Sequence, residues 1–350
     1  MMGTTTVEIP AILLLHVEYG KFKEGISSIH RQLVLTLWEH VPDTPLFSTV
    51  LKAAEADIRD AQQDGVKLLL PQVDPDDPRT DPSLAWLTFD HDVKYPHLPS
   101  KVKTIVGYFN ITSRAAIRIK KKLFPDAKVI LFAHDIPEDT EYYKGDEKEK
   151  SILEDAQEAD VVFSLGNKIF DHFENQFRGI PAEKRPQHFK FVPRPSKIFE
   201  DAKPEYKDTK TMVVLSIVGV QGVETLKGLD IAAEALRIVA ERMNIKWRVR
   251  GASKDYFQKY LGRSKLEIRP LPCGTQEDIC KDMMQAHLFL MPSRAEPFGL
   301  MGLEAIAAGV PVLVCSKSGL ADFIDEHIEE LHHSIVDMDE REKGTGKRFG

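Results

Sequence analysis

Two glutamates in the stretch SRAEPFGLMGLEAIAAGVPVLV, residues 293–314, have a spacing suited to ligand chemistry. Glu296 precedes the bend Pro297-Phe298-Gly299, and Glu304 lies eight positions later, in the first turns of the helix predicted to follow the bend. A carboxylate at the start of a helix also stabilises the helix dipole, which is the structural alternative for Glu304. The pairing across the bend favours a functional interpretation, in which both carboxylates face one ligand.

The start of the same predicted helix is suited to a phosphate. The backbone amides of Gly299, Leu300 and Met301 would be exposed there, where unpaired N–H groups and the helix dipole favour an anion. Carboxylates repel a phosphate, so the two glutamates are better explained as acceptors for hydroxyl groups of a sugar ring and a ribose. The ligand that these groups imply is a nucleotide sugar.

Strand and helix patterns alternate twice along the chain, and these elements must position the motif. Continuous apolar runs typical of strands buried on both faces occur at 11–17, 66–72, 102–109, 128–135 and 159–166, and again at 212–220, 246–252, 265–272, 287–293 and 310–316. Helical patterns lie between them at 25–40, 113–123, 147–158 and 168–177, then at 229–243 and 276–285. This alternation predicts an α/β protein with two doubly wound, Rossmann-like domains facing a cleft.

The predicted domains divide the chain near its middle. At 350 residues it exceeds the size of a usual single core. We predict an amino-terminal, acceptor-side domain over 1–195, a polar, proline-punctuated linker over 196–211, and a nucleotide-sugar-binding domain over 212–350. The Pro- and Asp-rich region 73–100 predicts a long surface excursion. Ligands of such domains bind beyond the carboxyl ends of the strands, which is where the glutamate motif falls.

Composition narrows the possible partners. The formal net charge is −7, from 47 basic and 54 acidic residues, so no nucleic-acid partner is expected, and the basic run 118–122 is interpreted as a solvated helix face. Three cysteines without metal-ligand spacing favour a cytoplasmic location. The apolar run 11–17 is too short for a transmembrane segment. The acidic run 74–77 lies far from the motif, so no metal and no cofactor besides the nucleotide-sugar substrate is implied.

The segment EPFGLMGLEAIAAGVPVLV resembles the signature of retaining nucleotide-sugar glycosyltransferases of family four, group 1, which have the GT-B fold. The resemblance implies that Glu296 contacts the donor sugar and Glu304 the ribose. Lys227-Gly228-Leu229-Asp230 is similar to the family's Lys-Gly motif, in which the lysine binds the diphosphate. By this resemblance the protein is a hexosyltransferase-type enzyme that transfers a sugar to an unidentified acceptor hydroxyl with retention of configuration.

The first half resembles the family more weakly. The segment 20–25 occupies the place of the family's glycine loop, and Ala133-His134-Asp135 falls where the family keeps a histidine near the donor sugar. The resemblance thus implies three catalytic residues, His134, Glu296 and Lys227, and a set of donor-binding residues: Gly25, Lys227, Glu296, Phe298, Gly299, Leu300, Met301 and Glu304. Lys227 as a surface lysine, His134 as a satisfied rim histidine and Gly25 as a turn residue are the structural alternatives.

The sequence also departs from the family. The usual arginine before Lys-Gly is absent from VGVQGVETLKG, residues 218–228, which is expected to weaken donor binding roughly ten- to a hundredfold unless Arg250 or Arg194 substitutes for it. Pro193-Arg194-Pro195 replaces the usual Asn-Gly. The chain stops at EREKGTGKRFG, so the crossover helices that end the family's fold are expected to be missing and the second domain truncated.

Two alternative functions remain open at the level of sequence. The missing arginine and the abrupt end favour a catalytically weak or inactive nucleotide-sugar-binding module. A sugar-nucleotide epimerase on the same scaffold is also possible, because a fold does not fix a chemistry.

Overall fold

The computed structural model describes residues 9–21, 23, 25–74, 78–137, 145–204, 209–218, 224–258 and 265–338, with the backbone alone at 145–147. Two compact units are present: unit 1 comprises Met1–Asp201 with Gly274–Cys280, and unit 2 comprises Ala202–Cys273 with Lys281–Gly350. The chain first passes from unit 1 to unit 2 inside the stretch 196–211 that composition predicts as a linker. Residues 75–77, 205–208, 219–223 and 340–350, which carry parts of the sequence predictions, lie outside the described residues.

Within the described part of unit 1, seven parallel strands form one sheet. The strands are β1 (Ala11–Leu15), β2 (Leu46–Thr49), β3 (Val66–Leu69), β4 (Val102–Tyr108), β5 (Lys128–Ala133), β6 (Val161–Leu165) and β7 (Gln187–Phe191). The helices are α1 (Ile26–His40), α2 (Glu55–Gln63), α3 (Leu84–Phe89), α4 (His91–Lys94), α5 (Ser113–Leu123), α6 (Gly145–Ala156), α7 (Gly166–Phe177) and α8 (Lys197–Glu200). The strand order is β3-β2-β1-β4-β5-β6-β7.

The first strand lies inside this sheet, between β2 and β4, and all five of its residues, AILLL, are buried. Leu13 is opposite Phe47 of β2 on one side and opposite Ile105 of β4 on the other. Helices cover both faces of a parallel sheet, so a central strand needs apolar side chains in both directions. The sequence order reverses direction between β1 and β4, which opens a crevice at their carboxyl ends.

The region 73–100 is not the surface excursion that its composition predicts. It contains α3 and α4, and Trp86, Leu87 and Tyr95 are almost completely buried. The ammonium group of Lys94 lies 4.2 Å from the centre of the Trp86 ring, a cation–π contact. The prediction was wrong because a few large apolar residues, placed on short helices between prolines and aspartates, are sufficient to anchor this segment to the core.

Unit 2 repeats the same strand order on a smaller scale. Its described strands are β8 (Thr211–Ile217), β9 (Asn244–Arg250), β10 (Glu267–Leu271), β11 (Leu288–Met291), β12 (Val312–Cys315) and β13 (Ile335–Val336). The helices after residue 202 are α9 (Leu229–Ala240), α10 (Gln276–Met283), α11 (Leu300–Ala307) and α12 (Gly319–His327). The order β10-β9-β8-β11-β12-β13, all parallel, confirms the prediction of two doubly wound α/β domains.

The basic run on α5 is paired with acidic residues of other elements. Lys120 contacts Asp160 at 3.2 Å and Lys121 contacts Glu158 at 2.9 Å. The Lys122 ammonium group lies 2.7 Å from a carboxylate oxygen on α4. These contacts neutralise the run locally. Among the helices that the structure describes, none has the length and apolar character needed to cross a bilayer.

Candidate active site

The candidate site of unit 2 lies at the carboxyl ends of β8 and β11. These strands are paired in parallel, with Val214 opposite Leu288 and Leu215 opposite Phe289. The loop after β8 leads into α9 and carries Lys227, whereas the loop after β11 leads into α11 and carries Glu296. The sheet order reverses direction between these two strands, and such a switch point is where doubly wound sheets bind ligands.

Lys227 and Glu296 form an ion pair across the two loops. The Lys227 Nζ lies 2.6 Å from the Glu296 Oε2, and the hydroxyl of Ser293 donates to the same oxygen at 3.1 Å. The side chains are 25% and 15% exposed, so the pair is partly withdrawn from water and accessible to a ligand. The structure therefore brings together the two residues that the sequence assigns to the diphosphate and the sugar.

Gly228 fixes the backbone next to Lys227. It has a left-handed conformation, φ 67°, at the amino-terminal cap of α9. A Cβ at this position would lie 1.8 Å from the carbonyl oxygen of Pro292. The two loops therefore approach each other so closely that only glycine fits, and this approach sets the position of the neighbouring lysine.

Arg294 clamps the loop that carries Lys227. Its guanidinium donates to both carboxylate oxygens of Asp230, at 2.6 and 2.8 Å, and to the carbonyl oxygen of Thr225 at 2.6 Å. The Arg294 backbone N–H donates to the carbonyl oxygen of Leu226 at 2.9 Å. Burial raises the pKa of Asp230, but the hydrogen bond and the charge of Arg294 outweigh it and hold this pKa below its ordinary value. Both residues belong to motifs that the sequence analysis identified, but their contact was not predicted.

The Pro-Phe-Gly bend is held by the first residues of α12. The Glu296 carbonyl oxygen accepts a hydrogen bond from the Gly319 N–H at 3.1 Å, and that of Phe298 accepts one from Leu320 at 2.5 Å. Phe298 is buried, with its ring centre 6.3 Å from that of Phe323. Phe298 thus anchors the bend through packing.

The amino end of α11 leaves backbone amides available for an anion. Gly299 caps the helix with φ 113°, and the N–H groups of Gly302 and Leu303 donate to its carbonyl oxygen at 3.0 and 3.2 Å. The amides of Leu300 and Met301 precede these first intrahelical bonds, as the first N–H groups of any helix do. The helix dipole adds to their preference for negative charge.

Glu304 lies in the second turn of α11 and is 3% exposed. A carboxylate withdrawn from water forms stronger hydrogen bonds than an exposed one, because the local dielectric constant is low. Its position in the helix sets it apart from Glu296, which lies before the bend and is more exposed.

The structure places Gly25 and His134 in unit 1. Gly25 caps α1 with φ 59°, and among the described residues, apart from Gly25 and its chain neighbours, no atom lies within 4 Å of where its Cβ would be. His134 follows β5; its side chain is 16% exposed, and its Nε2 lies 3.9 Å from the Oδ1 of Asp135. Asn110 donates to the same aspartate oxygen at 3.2 Å. Burial lowers the pKa of His134, so its imidazole is neutral at pH 7.

Two further histidines, one directly after β1 and one in α1, belong to a buried aromatic cluster. The rings of His16 and His30 are stacked, with centres 4.6 Å apart. The His30 ring nitrogens are hydrogen-bonded to the hydroxyls of Tyr108 and Ser48, both at 2.8 Å. Burial lowers the pKa of His16 to about 4 and that of His30 well below its ordinary value. The ring stacking and these hydrogen bonds are those of histidines that pack the core.

The two arginines considered as substitutes for the missing one are engaged elsewhere. Arg250 donates to Asp282 at 2.5 Å and to the carbonyl oxygen of Pro272 at 2.9 Å. Arg194 belongs to unit 1 and donates to Glu200 at 2.8 and 3.0 Å. In each case a carboxylate holds the guanidinium, so these contacts do not support such a substitution.

Three polar side chains from β6, β7 and α7 are connected in series by hydrogen bonds. The Ser164 hydroxyl is 2.8 Å from the His188 Nε2, and the His188 Nδ1 is 3.0 Å from a carboxylate oxygen of Glu174. Ser164 has 0% exposure. The His188 ring stacks on Phe170, with the ring centres 4.3 Å apart. These hydrogen bonds connect the last two strands of the sheet to α7, the helix between them.

One cleft of unit 2 lies away from the motif. Its volume is about 640 Å³, and it is lined at the amino-terminal ends of β8, β9 and β10 by residues that include Thr211, Lys246 and Glu267. Ligands of doubly wound sheets bind at the opposite ends of the strands, so we assign this cleft no role in the site. Within the described ranges, no group of three or more His, Cys, Asp or Glu side chains could hold a metal ion.

Comparison with known proteins places the chain among glycosyltransferases. It is 34% identical over 102 residues to a glycogen synthase of Hydrogenovibrio crunogenus, and 31% identical over 109 residues to an uncharacterized glycosyltransferase of Methanocaldococcus jannaschii. These regions cover 28% and 30% of this chain, but only 21% and 28% of the relatives' own lengths.

Solved structures share the fold at low sequence identity. Sucrose-phosphate synthase from Thermosynechococcus elongatus matches with a TM-score of 0.63 and 17% identity, covering 89% of this chain and 82% of the other. TarM matches with a TM-score of 0.70 and 13% identity, covering 95% and 89%. The family model described as "Family 4 Glycosyltransferase in conflict systems" matches residues 13–349. Because that match spans nearly the whole chain, the protein belongs to the family 4 glycosyltransferases of conflict systems, with the GT-B fold.

Proposed function

We propose that the protein is a retaining glycosyltransferase that moves a hexosyl group from a nucleotide diphosphate sugar to an acceptor hydroxyl. The observation that supports this most directly is the contact between Lys227 and Glu296 beside the amino end of α11, at the switch point of the second sheet. One cation, a row of backbone amides and two carboxylates are the groups that a donor with a diphosphate and many hydroxyls requires.

Each part of the donor has a partner in this proposal. The diphosphate binds the Lys227 ammonium group and the amides of Leu300 and Met301, which offer positive charge and N–H donors. The sugar hydroxyls donate to Glu296 and the ribose hydroxyls to Glu304, because ionised carboxylates are acceptors only. A TarM variant, similar to this chain with a TM-score of 0.64 and 13% identity, was solved with UDP and alpha-GlcNAc-glycerol.

The transfer step needs no protein nucleophile. The bond from the anomeric carbon to the diphosphate oxygen breaks, and a bond to the acceptor oxygen forms on the same face of the sugar. The acceptor proton passes to the departing phosphate oxygen. Negative charge grows on the diphosphate, so Lys227 and the α11 amides stabilise the transition state more than the ground state. Neutral His134 is assigned to the donor sugar, where it offers a hydrogen bond without repelling positive charge on the ring.

In this proposal protein groups neutralise the diphosphate, and transfer proceeds without a divalent metal. Addition of a chelator should leave the rate unchanged. A rate that falls with the chelator and recovers with Mg²⁺ or Mn²⁺ would show that the protein cations are insufficient.

A nucleotide-sugar-binding module without turnover is the second candidate. One observation favours it: Arg250 and Arg194, the candidate substitutes for the missing diphosphate arginine, are both held by carboxylates. Binding with a single lysine would be weaker, and stabilisation of the leaving diphosphate would be weaker too.

A panel of UDP-, GDP- and ADP-sugars, scored for binding and for products, tests the proposal. Release of nucleoside diphosphate together with a sugar of retained anomeric configuration, determined by NMR, supports a retaining transferase. Interconversion of sugars indicates an epimerase, and saturable binding without product indicates a module. Lys227→Ala is the control for contaminating activity, because it should abolish turnover by this site. If no nucleotide sugar binds or reacts, the proposed function is wrong.

A further inference from the structure

We infer that Glu296 also makes the site discriminate between a sugar-bearing donor and bare nucleoside diphosphate, by competing for Lys227. This inference rests on the proposed function. It concerns the free protein, in which the lysine already has a carboxylate partner 2.6 Å away.

The contact is well placed for competition. Glu296 receives the Lys227 ammonium group and the Ser293 hydroxyl on the same carboxylate oxygen, Oε2. Both members of the ion pair are mostly shielded from water, so the contact is screened less than a surface pair would be. An incoming diphosphate must therefore compete with a carboxylate for the lysine that is meant to bind it.

The backbones on both sides are fixed, so the exchange must occur through side chains. Gly228 lies against the Pro292 carbonyl oxygen, and Arg294 holds the carbonyl groups of Thr225 and Leu226. On the other loop, the Glu296 carbonyl oxygen accepts a hydrogen bond from Gly319. Loop movement is thus not available as an inexpensive way to separate the two charges.

The cost of displacement depends on what the ligand offers to Glu296. Bare nucleoside diphosphate takes Lys227 and leaves Glu296 without a cation, next to a second anion. A sugar-bearing donor takes Lys227 and supplies hydroxyl groups to the released carboxylate. The ion pair therefore weakens binding of the bare diphosphate. The complete donor recovers the lost binding free energy through the hydrogen bonds of its sugar.

This reasoning predicts effects of opposite sign from one substitution. Glu296→Gln should strengthen binding of UDP, GDP or ADP, whichever the protein accepts, roughly three- to tenfold, because a partly buried ion pair no longer has to be broken. The same variant should weaken the matching sugar-bearing donor, because an amide oxygen is a poorer acceptor than a carboxylate. Isothermal titration calorimetry measures both affinities.

Three further variants separate competition from simple charge repulsion. Glu296→Asp keeps the charge but withdraws it from Lys227 by one methylene. Competition predicts that this variant binds diphosphate more tightly than the wild type does, whereas charge repulsion predicts no gain in affinity. Glu304→Gln removes the second carboxylate charge of the motif without freeing the lysine, and it should not strengthen binding. When Lys227 is already replaced in Lys227→Met, Glu296→Gln should increase the affinity for diphosphate only by the amount due to the lost repulsion between carboxylate and diphosphate.

The outcomes distinguish this inference from the proposed function. If the wild type binds nucleoside diphosphate and neither Glu296→Gln nor Glu296→Asp binds it more tightly, the competition is refuted and the proposed function stands. A gain of equal size in the Lys227→Met background also refutes it, because the gain would not act through the lysine. If the folded wild type binds neither a nucleoside diphosphate nor any nucleotide sugar, both ideas are wrong.

Discussion

Gly228→Ala should destabilise unit 2 because the two loops of the site meet at this glycine. The left-handed conformation alone costs an alanine roughly 1–2 kcal/mol. The new Cβ would also lie 1.8 Å from the Pro292 carbonyl oxygen, whereas an ordinary C···O contact is about 3.3 Å. The loops must therefore separate by about 1.5 Å, and overpacking of this kind adds about 1–3 kcal/mol. We expect a total loss of about 2–5 kcal/mol, a large part of the stability of a typical domain.

Gly309→Ala is the matched control in the same unit. Gly309 has nearly the same conformation, φ 73°, but its Cβ would meet Pro204 at ordinary contact distances, the Cγ at 3.4 Å and the Cδ at 3.7 Å. This variant should lose about 1–2 kcal/mol, the conformational cost alone. The difference between the two variants therefore measures the close approach of the loops.

Hydrogen exchange measured by mass spectrometry is the appropriate assay, because unfolding of a two-unit chain need not be two-state. Peptides from β8 and β11 should lose protection in Gly228→Ala, and peptides from β1 and β4 should not. Binding of nucleoside diphosphate should fall as well, since Lys227 moves with the loop. Equal losses in Gly228→Ala and Gly309→Ala would refute the argument from loop contact.

Three further predictions concern single side chains. Glu304→Ala should weaken nucleoside diphosphate binding about tenfold and abolish any preference for ribose over 2′-deoxyribose, since a charge-assisted hydrogen bond is lost; calorimetry with both nucleotides checks this. Lys227→Ala should weaken the diphosphate far more than the uncharged nucleoside, and the difference should shrink in high salt; equal losses would make the lysine structural. Burial lowers the pKa of His16 from 6.5 to about 4, so this histidine binds a proton more tightly in the unfolded protein than in the folded one. The free energy of opening unit 1 should therefore fall by up to about 3 kcal/mol between pH 6.5 and pH 4, and His16→Gln should flatten that slope in hydrogen exchange of β1 peptides.

The sequence located most elements of the fold because buried parallel strands are continuous apolar runs. The helix Ser113–Leu123 was predicted with its observed bounds, and β1, β4 and β5 were recognised. Three of the described strands were missed. β7, with the sequence QHFKF, lies at a sheet edge and alternates with polar residues, β2 is only four residues long, and β13 is only two. None presents the apolar run that marks a strand covered on both faces.

For the candidate site, the sequence located residues but not contacts. Glu296 and Lys227 come from motifs 69 positions apart in the chain. They meet because β8 pairs with β11, and this strand order cannot be read from the periodicity of either segment. The clamp between Arg294 and Asp230 was missed for the same reason: each residue belongs to a motif that, by itself, shows only local spacing.

The chain of Ser164, His188 and Glu174 has the connectivity of a hydrolase triad: a hydroxyl on an imidazole that is oriented by a carboxylate. A template search based on distances would report it as a serine hydrolase site. Its hydroxyl is sealed from solvent by the sheet and by α7, so no ester or peptide could reach it. Fluorophosphonate probes should leave Ser164 unlabelled in the folded protein, which shows that access, as much as geometry, separates a nucleophile from a structural hydrogen bond.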